Sequence, residues 1–115
     1  MDPNMPVVDH QGAMDRLDGD EELWQEIRVI WLEDAPQMLE SVRTACRGRD
    51  SEGVKRSAHA LKGASSNVGA VRVAEAARHL EVSAPAAEWP ILDPGCAVLE
   101  REVSLAIEAL VALAA

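Results

Sequence analysis

The sequence predicts an all-α protein: an antiparallel four-helix bundle with an extra short N-terminal helix. Three observations carry that prediction. Ala, Leu and Val dominate the apolar 48%, while Tyr and Phe are absent and only three Trp occur, a composition that favours helix over sheet. Apolar residues recur at three- and four-residue spacing along successive stretches. Most of the breaks between those stretches are short, so consecutive helices must run back along one another. The 115 residues allow one domain with one modest core.

Residues 1–8 hold Pro3 and Pro6 and show no periodicity, so they read as a flexible leader, with the folded domain over 9–115. Asp9 caps a short helix across 10–17, where Met14 and Leu17 share a face. Asp20 caps a long helix that runs to residue 47 and stops at Gly48. Pro36 inside it predicts a kink or a break. Asp50 caps a third helix over 51–68, with Gly69 at its end. A fourth helix covers 71–83, with Val73, Ala77, Leu80 and Ala84 on one face. Pro85, Pro90, Pro94 and Gly95 predict a loop with extended pieces over 85–95. A fifth helix spans 96–113 on a stripe of Leu99, Val103, Ala106, Leu110 and Leu113.

The long helix is apolar over more than a one-sided helix needs, from Leu23 through Trp24, Ile27, Trp31 and Leu39 to Cys46. Two readings account for the excess width. Met14 and Leu17 of the first helix cover it, or part of it stays exposed to dock a partner. Cys46 and Cys96 fit no metal-ligand spacing and read as two reduced, buried thiols, with a disulfide between them as the alternative.

The net charge is −9, which argues against nucleic acid or an anionic membrane as partner. No apolar run approaches the roughly 20 residues that span a bilayer, and Met1 to Pro6 lacks the basic and apolar regions of a secretory signal. The expected location is the cytoplasm. Charge is unevenly spread: residues 1–42 carry a net −9, residues 43–62 a net +4 and residues 63–115 a net −4. Arg43, Arg47 and Arg49 fall where cations favour a helix end. Lys55, Arg56 and Lys62 need another reason.

That reason lies on the third helix. At roughly 100° per residue, Lys55, Arg56, Lys62, Gly63 and Ser66 all fall within about 60° of His59. Val54, Ala58, Leu61, Ser65 and Val68 lie opposite, as a core-facing stripe. His59 therefore points to solvent amid cations. A neutral, exposed imidazole is a competent nucleophile near neutral pH, and cations beside it favour an added phosphoryl group. Gly63 costs about 0.5–1 kcal/mol relative to Ala in a helix, and one turn from His59 it removes the side chain that would crowd the ring. His10 and His79 have no such setting and read as surface or helix-end residues. The sequence contains no phosphate-cradling Gly-rich loop, no HExxH and no Ser-His-Asp arrangement.

The thirteen residues Ala58-His59-Ala60-Leu61-Lys62-Gly63-Ala64-Ser65-Ser66-Asn67-Val68-Gly69-Ala70 resemble the signature of histidine-containing phosphotransfer (HPt) domains: His-x-Leu-Lys-Gly, small residues, then an apolar-Gly-Ala close. The resemblance implies a four-helix bundle that relays phosphoryl groups in two-component signalling. It implies that His59 accepts and donates the phosphoryl group through Nε2, with Lys62 beside the phosphate and Gly63 giving access. Lys55, Arg56, Ser66 and Asn67 are the expected docking residues around it. The partners implied are response-regulator receiver domains and a hybrid sensor kinase. The acceptor Asp and the Mg²⁺ belong to the receiver, so this chain is expected to need no cofactor of its own, to lack autokinase activity, and to be a monomer. Two other readings stand beside this one: a non-catalytic helical adaptor, and the His-bearing dimerisation domain of a sensor kinase.

Overall fold

Three aspartates set the first three helix starts. In a computed structural model, which describes residues 4–115, Asp9 accepts from the Gly12 amide and opens α1 (His10–Arg16). Asp20 accepts from the Leu23 amide and opens α2 (Glu21–Arg47). Asp50 does the same for the Gly53 amide at the start of α3 (Ser51–Val68). Each carboxylate satisfies an amide that the first helical turn leaves without a partner. α4 (Val71–Ser83), a 3₁₀ turn (Ala84–Ala86) and α5 (Trp89–Ala112) complete the chain, and no strand occurs among the described residues. Of the expected leader, residues 1–3 lie outside the described residues. Val7 and Val8 are half-buried against the core.

Cross-helix contacts fix the topology. Trp31 of α2 meets Ser65 of α3, while Ala45 lies beside Gly53, so α2 and α3 run antiparallel. The pairs Arg28–Leu110 and Arg43–Glu100 do the same for α2 and α5. Arg72–Glu102 and Leu80–Gly95 run α4 against α5. The bundle is therefore up-down-up-down, and α1 packs across α2 and α3 at one end. Trp24, Leu61, Leu80, Leu92, Leu99 and Leu110 are among its largest fully buried side chains.

Several expectations are corrected. The helix before Gly48 continues through Pro36 without the break that was one of the two expected outcomes there. The proposed loop over 85–95 is mostly helix, because α5 begins at Trp89. Pro90 sits in its first turn, where no backbone N–H is needed, and Pro94 is carried inside the helix. Gly95 has a packing role: a Cβ there would lie 2.8 Å from Leu80 Cδ2, so glycine lets α5 close on α4. The reversal into α5 is made at Ala87, in the left-handed region at φ 51°. Leu113 is the C-cap and is exposed, outside the buried stripe.

Cys46 and Cys96 are joined in a disulfide between α2 and α5, which corrects the reading as two free thiols. A separation of 50 residues concealed what the antiparallel α2–α5 pairing brings together. The basic cluster before residue 50 is spent on ion pairs at this seam: Arg43 with Glu40 and Glu100, Arg47 with Glu40, and Arg49 with Asp93.

The wide apolar face of α2 is covered in part and exposed in part. Met14 and Leu17 of α1 pack against the core. Leu23 at 39% and Ile30 at 57% remain exposed.

Candidate functional site

The rotation of α3 about its own axis decides which residues face solvent, and two tryptophans set it. Trp31 Nε1 donates to Ser65 Oγ and Trp24 Nε1 donates to the Val68 carbonyl, both at 3.0 Å and both buried. Each indole removes about 150–250 Å² from water, worth roughly 4–6 kcal/mol of gross transfer energy. Its N–H then needs a partner, and only the inner face of α3 supplies one. With Ser65 and Val68 held inward alongside Val54, Ala58 and Leu61, the opposite face is held outward. At the far end, Gly69 takes φ 87° as a left-handed stop. A Cβ on Gly69 would lie 2.6 Å from the Asp9 carbonyl oxygen, so the crossing of the N-terminal segment requires glycine there.

The outward face is the expected one. His59, Lys55, Arg56, Gly63, Ser66 and Asn67 are exposed, and Lys62 is partly so. A Cβ built at Gly63 would meet nothing within 4 Å, so the surface beside the imidazole is open. Among the described residues Lys55 and Arg56 form no ion pair, which leaves two free cations one turn before His59. Ser66 contributes its carbonyl, which accepts from Arg16 at 2.6 Å.

The residue that the sequence reading missed is Glu81. It comes from α4, and its two oxygens bind two residues of α3. Oε1 lies 2.8 Å from His59 Nδ1, and Oε2 lies 2.7 Å from Lys62 Nζ. The His59 side chain is 68% exposed, whereas that of Glu81 is 18% exposed, so the carboxylate sits beneath the ring. An N–H on Nδ1 donating to Glu81 puts the free lone pair on Nε2, the nitrogen left unengaged. The Lys62 ammonium and, after it, His59 hold the Glu81 carboxyl below the ordinary carboxylate range. One signal in the sequence could have found it. Helices α3 and α4 reverse at Ala70, and residues 59 and 81 lie at equal distance on either side of that turn.

On the other flank of His59, Arg56 and Ala60 border a groove between α3 and α2, lined also by Gln37, Met38, Ser41 and Thr44. Exposed Ile30 extends the same face of α2, seven residues before Gln37 and eleven before Ser41. His59 thus stands between a carboxylate–ammonium pair on one side and an open, partly apolar groove on the other. Among the described residues no group of three or more His, Cys, Asp or Glu is placed to hold a metal ion. No helix among them is long and apolar enough to cross a membrane.

The bundle thus holds His59 outward, tied to another helix at Nδ1 and open at Nε2. The family model of the Hpt domain matches residues 26–113, and the chain belongs to that family. A solved structure that it resembles is histidine-containing phosphotransfer protein B (HptB) from Pseudomonas aeruginosa PAO1. The TM-score is 0.82 and the identity 26%, over 91% of each chain. No curated protein matches the chain in sequence. Histidine phosphotransfer within phosphorelays is the activity of this family.

Proposed function

We propose that His59 accepts a phosphoryl group from a receiver-domain aspartyl-phosphate and passes it to the Asp of another receiver. The observation that carries this reading is the tie between His59 Nδ1 and Glu81 on an otherwise open imidazole. The Nε2 lone pair attacks phosphorus in line; the N–P bond forms as the P–O bond to the aspartyl carboxylate breaks. The ring gains positive charge, and Glu81 beside Nδ1 offsets it. No proton has to move, because Nδ1 keeps its hydrogen throughout. Return transfer reverses the step: a receiver carboxylate attacks phosphorus and the neutral imidazole leaves.

Lys62 stands within reach of both Glu81 and an incoming phosphoryl group, so its ammonium can be shared between them. Lys55 and Arg56 supply the unpaired positive charge that draws an anionic receiver site to this face. Gly63 leaves room for the receiver's loops, and Ser66 and Asn67 extend the contact along α3. The Mg²⁺ is held by the receiver. The chain acts as a monomer in the cytoplasm, supplied by a hybrid sensor kinase through its receiver, and has no autokinase activity of its own.

The test is incubation with a phosphorylated receiver domain. The wild-type chain gains acid-labile phosphate, whereas His59→Gln gains none and keeps its helicity and melting temperature, because His59 makes no core contact. Labelling of His59→Gln at His10, His79 or elsewhere would overturn the assignment.

A further inference from the structure

The fold uses only part of the acidity of α2. Asp20 caps the helix, Glu21 meets His10, and Glu40 meets Arg43 and Arg47. Among the described residues Glu22, Glu26, Glu33 and Asp34 are exposed and form no ion pair. Glu22 and Glu26 stand four residues apart, where like charges repel and weaken a helix. At roughly 100° per residue, Leu23, Ile30, Asp34 and Ser41 fall within about 40° of one another, and Ser41 lines the groove beside α3. Glu22, Glu26 and Glu33 form a second row about 80° further out. Exposed Leu23 and Ile30 thus lie in an acidic frame on the groove side of α2. The contacts Trp31–Ser65 and Ala45–Gly53 set His59 about level with Met38. Lys55 and Arg56 lie beyond it toward the α2–α3 turn, whereas Asp34, Ile30 and the glutamates lie beyond it toward α1. The face around His59 is therefore positive at one end, and negative and apolar at the other.

We propose, on the reading of His59 as a phosphoryl carrier, that the acidic, apolar stretch around Ile30 and Asp34 selects among receivers. The receiver it fits carries apolar residues rimmed by Lys or Arg on one flank of its acidic phosphorylation site. That occupant follows from charge. An anionic phosphorylation site is drawn to Lys55 and Arg56; turned end for end, it would meet Asp34 and Glu33 instead. A receiver whose flank is basic has both ends satisfied in one orientation only, and complementary charge sets orientation and encounter rate more than it sets tightness. The unpaired acids of α2, which repel one another in the free chain, then gain partners in the complex.

The experiment times transfer from a panel of phosphorylated receiver domains of known surface charge. The acceptors are the wild-type chain, the double variant Glu26→Lys/Asp34→Lys, and Glu108→Lys, which reverses an unpaired acid on α5. Phosphoramidate serves as a further donor that presents no protein surface. With the wild type, kcat/KM should rise with the number of cations flanking the aspartyl site. The double variant should raise KM for the most basic-flanked receiver about tenfold and move kcat by less than about twofold. The order of receivers should invert, and the loss should shrink in about 0.5 M salt, where surface charges are screened. Glu108→Lys should keep the wild-type order. The double variant should melt at or above the wild-type temperature, because a row of like charges is broken. An unchanged order of receivers, or a loss that persists in high salt, would overturn the proposal. So would a doubled mass in sedimentation that the double variant abolishes, which would make the occupant a second copy of this chain. Labelling of His59 by phosphoramidate but by no receiver would overturn the carrier reading itself, and this inference with it.

Discussion

Two corners of the bundle each present a histidine to a carboxylate of another helix, and the proposed function assigns the phosphoryl group to only one of them. At the α1–α2 corner, His10 Nε2 lies 3.0 Å from Glu21, and its ring stands edge-on against Trp24 with centroids 4.4 Å apart. On the α3–α4 face, His59 engages its carboxylate through Nδ1, and its flank at Gly63 is open. The first arrangement uses Nε2 as a brace and packs the ring onto the core. The second uses the nitrogen nearer the backbone as the brace and leaves the outer one free. His79 meets Glu75 one turn away on its own helix and lacks a cross-helix tie. A histidine–carboxylate contact is thus no mark of function by itself; the nitrogen left over and the space around it are.

The contrast can be broken most severely at Gly63. Gly63→Gln puts a side chain where the receiver must close, and a misplacement of about 1 Å costs around a hundredfold in such a step. Transfer should fall by about that factor while the fold survives, because nothing within 4 Å opposes a Cβ there. Gly63→Ala should lose less activity and melt at the same temperature or higher, since Ala in an exposed helical position gains roughly 0.5–1 kcal/mol over Gly. Circular-dichroism melting with timed phosphotransfer checks both halves.

A smaller effect is expected at Glu81, and it sharpens the comparison. Glu81→Leu keeps the bulk but removes the acceptor for His59 Nδ1, so transfer should slow about tenfold, or about 1.4 kcal/mol in the barrier. Glu81→Gln retains an acceptor oxygen and should recover part of the loss. Disrupting the Glu21 contact to His10 should leave transfer unchanged. If Glu81→Leu transfers at the wild-type rate, the carboxylate is only a surface partner of Lys62.

The smallest effect is on stability against pH. Lys62 and His59 depress the Glu81 pKa in the folded chain, so the unfolded chain binds more protons over that range. The tie therefore contributes fully above the ordinary glutamate value of about 4.3 and is lost as pH falls through the lower, folded value. The gap in melting temperature between wild type and Glu81→Gln should be constant from pH 8 to pH 6, as far as Glu81 is concerned. It should close only in acid, below the ordinary glutamate value.

Much of this was legible in the sequence because it depends on local rules. Asp9, Asp20 and Asp50 announce helix starts through backbone amides within three residues. The period of Val54, Ala58, Leu61, Ser65 and Val68 fixes the inner face of α3, and hence the outward position of His59. What escaped depends on contacts distant in sequence. Pro90, Pro94 and Gly95 read locally as breakers, yet Leu92 packs into the core and Gly95 lets α5 close on Leu80. Cys46 and Cys96 gave no local sign of meeting. Glu81 drew no notice in the sequence, because only the reversal at Ala70 sets it beneath His59.

The central claim is that Glu81 holds Nδ1 of His59 so that Nε2 is the nucleophile. Its most direct test is heteronuclear NMR of the chain labelled with ¹⁵N-histidine and phosphorylated by a receiver, which reads the residue and the nitrogen bonded to phosphorus. The account predicts a single phosphohistidine at His59, bonded through Nε2, with Nδ1 still protonated. A phosphorus on Nδ1 of His59, or on either nitrogen of His10 or His79, would contradict it.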